Sequence, residues 1–248
     1  MLKTFSITNI GKKRKTNQDF VYTSEQQVGN LPNLFLVADG MGGHNAGDYA
    51  SQMTVETIVE KASVSGETEP RRILEEAITA ANARVRQEAR RLPELEGMGT
   101  TIVAAVCDGA RLFVANVGDS RLYVENSREI VQITRDHSWV EEMVRRGDIP
   151  RNEARNNERK NIITRAVGAE EAVQADYFQV TLEEGDIVLM CTDGLTNMLE
   201  DEEIRMMLES SRDIVEKAER LVWEANERGG SDNISVVLIE PVLRKSGE

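Results

Sequence analysis

The chain has 248 residues, 40% hydrophobic and 29% charged, with a net charge of −13, a composition that suits one large or two small globular domains. That acidic balance excludes a surface for phosphate backbones, which needs clustered Lys and Arg, and no apolar run approaches the length of a transmembrane helix. The opening "MLKTFSITNIGKKRKTNQD" lacks the apolar core and small-residue cleavage site of a secretion signal. Both cysteines, Cys107 and Cys191, lie in apolar stretches, as buried reduced thiols do. The expectation is a cytoplasmic monomer that binds neither nucleic acid nor membrane.

In chain order, "NQD", ending at Asp19, precedes a strand-like run, and Leu34–Ala38 is a five-residue apolar strand that stops at Asp39-Gly40. A helix is predicted over Ala46–Ala62 from the stripe Ala46, Ala50, Met53, Ile58 and Ala62. A second over Arg71–Leu92 repeats Leu74, Ile78, Ala81, Val85, Ala89 and Leu92 at intervals of three or four. Strands follow at Thr101–Cys107 and Leu112–Val117, joined by Cys107-Asp108-Gly109-Ala110, a strong hairpin signal. Further strands are predicted at Arg121–Val124, Ile187–Cys191 and Ile234–Ile239, with a helix over Asp213–Asn226 whose stripe is Ile214, Ala218, Leu221, Val222 and Ala225. The stretch Val144–Asn161 is charged, holds Gly147 and Pro150, and reads as a surface loop after its first turn. Strands cluster rather than alternating with helices, which favours an α+β fold with helices covering antiparallel sheets.

Three Asp-Gly pairs occur. Asp108-Gly109, between two strands, is explained as a hairpin turn. Asp39-Gly40 and Asp193-Gly194 instead run from an apolar strand toward a helix, while Asp119 follows the strand "LFVANVG" and Asp232 precedes "ISVVLIE". Any one of these aspartates alone reads as a turn residue or helix cap. Four at the ends of separate strands point to a shared site, because sheets fix the backbone while side chains project into a cleft. Hard divalent cations take such oxygen ligands, and a neighbouring glycine lets a main-chain carbonyl approach one closely. Zinc is disfavoured, since two histidines and two distant cysteines make no cage.

Other chemistries fail on particular residues. A dinucleotide fingerprint would need glycine at Asn45, and a P-loop would need Lys-Ser or Lys-Thr where Asp48-Tyr49 stands. Ser231-Asp232-Asn233 lacks the Ser-x-x-Lys and Lys-Thr-Gly companions of a serine β-lactamase. A cysteine nucleophile with arginine six residues on is excluded by Phe113 and Asn197, and no Asp-x-Asp pair supports an aspartyl-phosphate route. Hydrolysis by metal-activated water survives.

An ordered series of motifs then carries a resemblance: "RKTNQD" (14–19), "VADGMGGHNAG" (37–47), "GMGTT" (97–101), "ANVGDSRLY" (115–123), "TRDHS" (134–138), "ITRAVG" (163–168), "DIVLMCTDGLTN" (186–197) and "GGSDNISVVLIE" (229–240). They span nearly the whole chain, which resembles the metal-dependent type 2C protein serine/threonine phosphatases, in particular their compact bacterial members. The resemblance implies a four-layer α-β-β-α sandwich with two central antiparallel sheets. It implies a single catalytic domain over 1–243, with a flap at about 144–161 and a tail at 244–248. It implies two Mn²⁺ or Mg²⁺ ions, with a third, weaker one in bacterial members. Asp39 would bridge two ions, the Gly40 carbonyl would bind one, Asp193 and Asp232 would complete the other, and Asp119 would share the third with Asp193. Asp19 would act near the metals, as a ligand through water or as an orienter. Arg14 would bind the phosphate and His44 would protonate the leaving oxygen. Partners would be phosphorylated proteins, a cognate bacterial serine/threonine kinase and its targets. Two departures stand out: Gln18 where many relatives have Glu, which argues against ligation by residue 18, and Asn157-Glu158 where relatives often have His-Pro, which bears on substrate preference. The alternatives are a catalytically silent metal-binding module, or a phosphatase dedicated to one stress-response regulator.

Overall fold

The fold is given by a computed structural model describing residues 2–43, 46–126 and 128–242. One sheet is built from β1 (Leu2–Asn9), β7 (Arg121–Glu125), β8 (Ile130–Gln132), β10 (Ile187–Cys191) and β11 (Ile234–Pro241), in the order β1-β11-β10-β7-β8. The other holds β2 (Asp19–Ser24), β3 (Leu34–Met41), β5 (Ile102–Asp108), β6 (Arg111–Val117) and β9 (Asp176–Thr181) in that order, with β4 (Gly99–Thr100) paired to β3. Every pairing is antiparallel. Helices α1 (Ala46–Ser63) and α2 (Pro70–Arg91) cover the second sheet. The first is covered by α5 (Asp193–Thr196), α6 (Asp201–Leu208) and α7 (Ile214–Glu227). Between β8 and β9 lie α3 (Trp139–Arg146) and α4 (Arg151–Ala154).

The alternation of side chains along a strand makes the layers. In β3, Leu34, Leu36 and Ala38 pack under α1 and α2, while Phe35 and Val37 face the space between the sheets. In β10, Ile187, Leu189 and Cys191 meet the helices of the other side, whereas Val188 and Met190 face inward. Strand β11 repeats this, with Ile234, Val236 and Leu238 outward and Val237 and Ile239 inward. Three apolar layers thus separate four layers of secondary structure, the α-β-β-α sandwich the resemblance implied. Each fully buried Leu or Ile contributes about 1.5–3 kcal/mol.

The same parity positions polar groups at one end of the inner layer. Asp39 continues the face of Phe35 and Val37, Thr192 that of Val188 and Met190, and Ser235 that of Val237 and Ile239. Three differences from the sequence reading matter here. Strand β3 does not stop at Asp39 but continues to Met41, because Gly40 pairs with Thr100 and Met41 with Gly99. The residues before the expected loop form α3, started by the Ser138 hydroxyl accepting from Glu141 N–H and stopped by Gly147 at φ 81°. Strands β1, β8 and β9 and helix α6 are additional.

Candidate metal centre

Asp19 and Asp39 stand opposite each other in the β2–β3 register. Asp19 is buried. Its Oδ2 accepts from the hydroxyls of Thr192 (2.9 Å) and Ser235 (2.7 Å), and its Oδ1 has no hydrogen-bond partner. The main chain of Asp39 is fastened on both sides. Its N–H donates to Thr101 Oγ1 (2.9 Å), and its carbonyl accepts from Thr101 N–H (2.9 Å) and the Thr100 hydroxyl (2.8 Å). Asp119 is buried in the turn after β6, next to Ser120, whose hydroxyl lies 2.7 Å from that of Thr101. Asp193 opens α5; its Oδ2 accepts from Asn197 Nδ2 (2.8 Å) and its buried Oδ1 is unpartnered. Asp232 accepts from its neighbour Asn233 N–H (2.8 Å) and from Arg14 Nη2 (2.7 Å).

Missing side chains bring these segments together. A Cβ on Gly40 would lie 1.9 Å from the Gly47 carbonyl oxygen, and one on Gly194 would lie 1.9 Å from that of Asn233. Glycine after Asp193 therefore lets its turn dock on the backbone beside Asp232. The Asn233 amide pins the N-terminal loop to the same place. Its Nδ2 donates to the carbonyls of Ile10 (2.9 Å) and Thr16 (3.0 Å), and its Oδ1 accepts from Gln18 N–H (2.8 Å). Gln18 is a fastener as well: its carbonyl accepts from Gly40 N–H (3.0 Å) and the Ser51 hydroxyl (2.6 Å), and its side chain packs against Gly47.

Four of these carboxylates, Asp19, Asp39, Asp119 and Asp193, resist ionisation. Burial is the largest cause for each, followed by neighbouring negative charge or offset by hydrogen bonds. Asp19 is pushed up to about 7 and Asp193 to about 6, while Asp39 and Asp119 are raised well above the ordinary range. Asp39 is opposed by Asp19, Asp193, Asp119 and Asp232 together. Arg14 and Arg121 counter this for Asp193, but Arg121 is itself engaged by Asp136, to which it donates three bonds of 2.7–3.1 Å. A crowded set of oxygen donors, two of whose buried oxygens have no partner, fits hard divalent cations. Among the described residues no three His, Cys, Asp or Glu side chains close around one point, so main-chain carbonyls and water would complete the coordination, as such cations accept.

The structure therefore brings together Asp19, Asp39, Gly40, Asp119, Asp193, Asp232 and Arg14. His44 lies outside the described residues, as does the tail at 244–248. A cleft of about 570 Å³ opens beside the cluster, with Asp119, Asp193, Arg155 and Lys160 in its lining. Arg155 Nε pairs with Glu200 Oε1, also in that lining, at 2.8 Å. Sequence reasoning did not single out Thr101, Ser120, Thr192, Asn197, Asn233 or Ser235. For Thr192 and Ser235 the strand parity described above is the one available signal.

Residues 11–228 match the family model described as protein phosphatase 2C. A serine/threonine phosphatase of Listeria monocytogenes is 40% identical over 244 residues, covering 97% of this chain and 96% of that protein. The solved serine/threonine phosphatase of S. agalactiae superposes with a TM-score of 0.90 at 36% identity, covering 97% of this chain and 99% of that one. The catalytic domain of the phosphatase PstP, solved in complex with two manganese ions, superposes with a TM-score of 0.85 at 33% identity, covering 96% and 97%. The chain belongs to the protein phosphatase 2C family, a metal-dependent family. It is an enzyme of that class, a protein serine/threonine phosphatase. No helix among the described residues is long and apolar enough to cross a membrane.

Proposed function

We propose that Asp39, the Gly40 carbonyl, Asp193 and Asp232 hold two Mn²⁺ or Mg²⁺ ions, with Asp119 contributing to a third, and that the site hydrolyses phosphoserine and phosphothreonine monoesters by in-line attack of water. The observation that carries this is the pair of buried, unpartnered oxygens, Asp19 Oδ1 and Asp193 Oδ1, inside a set of mutually repelling carboxylates. When bound, the ions supply Lewis acidity, making water nucleophilic near neutral pH and offsetting charge on the phosphoryl oxygens. Asp19, held by Thr192 and Ser235, fixes the spacing of the carboxylates around it. Arg14 is anchored to Asp232 through one nitrogen, which leaves the rest of its guanidinium for two phosphoryl oxygens. His44 protonates the departing serine oxygen. The segment 144–161 acts as a flap over the cleft. The substrates are the products of a serine/threonine kinase, since only phosphoryl transfer to those hydroxyls makes them. A cytoplasmic setting is supported by the two free, buried thiols.

The test is hydrolysis of a phosphothreonine peptide with Mn²⁺, after chelation, and by Asp193→Ala. Activity that needs the metal and falls with Asp193→Ala is expected. A metal-loaded wild type without activity, or activity untouched by either treatment, overturns the reading. Arg14→Ala should raise KM for the peptide more than it lowers kcat.

A further inference from the structure

His137 lies in none of the roles above, yet it is buried and holds one residue, Gly118, through the peptide units on both sides of it. Its main-chain N–H donates to the Gly118 carbonyl (2.9 Å), and its ring Nδ1 accepts from the Gly118 N–H (3.1 Å). Gly118 immediately precedes Asp119. It sits at φ 104°, where a Cβ would meet Thr101 Cγ2 at 2.5 Å, so the turn has no slack on its other face.

Because Nδ1 accepts, the ring proton of the neutral imidazole sits on Nε2. That nitrogen lies 3.3 Å from Asp176 Oδ2 and 3.2 Å from Arg165 Nη1, which itself donates to Asp176 Oδ1 at 3.1 Å. Two donors thus converge on one carboxylate, and the carboxylate sets the tautomer that leaves Nδ1 bare. Burial first and Arg165 second lower the pKa of His137, which keeps it neutral. The same residue joins the turn to the segment around the cleft: its carbonyl accepts from Thr164 N–H (2.8 Å), and Ser138 bridges to Ile163. Helix α3 begins directly after it.

We propose that His137 is a positioning residue for Asp119, clamping Gly118 at both its N–H and its carbonyl so that the Asp119 carboxylate is turned into the cleft it shares with Asp193. This rests on the reading of Asp119 as part of the metal centre. Asp119 reaches solvent at the cleft it shares with Asp193, and its chain direction there is set by the peptide His137 holds. Loss of the Nδ1 acceptor frees the Gly118 N–H, and with it the rotation at Gly118 that aims Asp119, while removing no hydrogen bond of Asp39, Asp193 or Asp232.

The experiment titrates Mn²⁺ into the full-length chain, reading free Mn²⁺ by electron paramagnetic resonance, beside phosphopeptide kinetics. The variants are His137→Phe, which keeps ring volume without an acceptor, His137→Asn, whose Oδ1 can stand where Nδ1 stands, and Asp119→Asn as reference. His137→Phe should weaken the last Mn²⁺ to bind by about tenfold or more, leave the tighter ions within about twofold, and lower kcat more than KM; His137→Asn should restore most of this. Asp119→Asn without effect on any ion removes the metal role of Asp119 and the proposal with it. An effective Asp119→Asn beside a His137→Phe that binds every ion normally overturns the positioning role alone. So does a His137→Phe that weakens all ions equally, or a His137→Asn as defective as His137→Phe, since either marks general loosening of the fold.

Discussion

Asp39-Gly40 and Asp108-Gly109 are the same dipeptide at opposite ends of one sheet, and their surroundings make them different objects. At Gly109 the backbone turns at φ 62° with open space where a Cβ would be, and Asp108 pairs with Arg111 across the hairpin in solvent. At Gly40 the strand goes straight on, and the missing Cβ leaves room for the Gly47 carbonyl. A glycine can serve conformational freedom or close approach, and only the second makes a site. The lesson extends to Gly194, where the close neighbour is the backbone beside Asp232.

The contrast can be broken most forcefully at the acids. Asp39→Asn should lower kcat by about a hundredfold or more, and in chelator its melting temperature should fall less with rising pH than that of the wild type, because a carboxyl that burial and neighbouring charge keep from ionising is gone; Asp108→Asn should leave kcat unchanged. At the glycines, Gly40→Ala should cost about 3 kcal/mol or more in urea unfolding, since a backbone oxygen must move. Gly109→Ala should cost about 1 kcal/mol, from its left-handed φ alone. Ionisation sharpens the comparison further. Asp19 and Asp193 keep their protons to about 7 and about 6 in the folded chain, against about 3.9 when unfolded. As pH rises from about 4 to about 7 the unfolded state loses protons first, so in chelator stability falls across that window and then levels. Added Mn²⁺ should therefore raise the melting temperature far more at pH 8 than at pH 5; an equal rise at both would break the link between repulsion and metal. Within the site itself the mildest change is Thr101→Val, which removes the acceptor of the Asp39 N–H. It should cost about 1–2 kcal/mol and lower kcat by about tenfold.

Where side chains faced a core, the fold was legible. Ile187–Cys191 has the bounds expected of it, and helix α2 differs by one residue at each end. The elements that escaped notice lie at edges or carry mixed faces. Strand β1 reads "LKTFSITN", half exposed along its length, and β9 is an edge strand with polar alternation, so neither makes an apolar run. Strand β3 was cut short because Asp-Gly is a local turn signal, whereas its pairing with Gly99–Thr100 comes from nearly sixty residues away. Asp39, Asp119, Asp193 and Asp232 are legible because each borders an apolar run, Asp232 before its strand and the others after theirs. Their holders are not, because a threonine or serine in a strand is unremarkable until the partner strand is known.

Strand β11 lies between β1 and β10, and Asp232 stands just before it. The five aspartates are thus gathered from chain positions more than two hundred residues apart. A chain still on the ribosome, with Ile234–Pro241 inside the exit tunnel, has its first sheet split and the Asp193-Gly194 turn without the backbone it docks on. The acids therefore gather only after segments from both ends of the described fold have met.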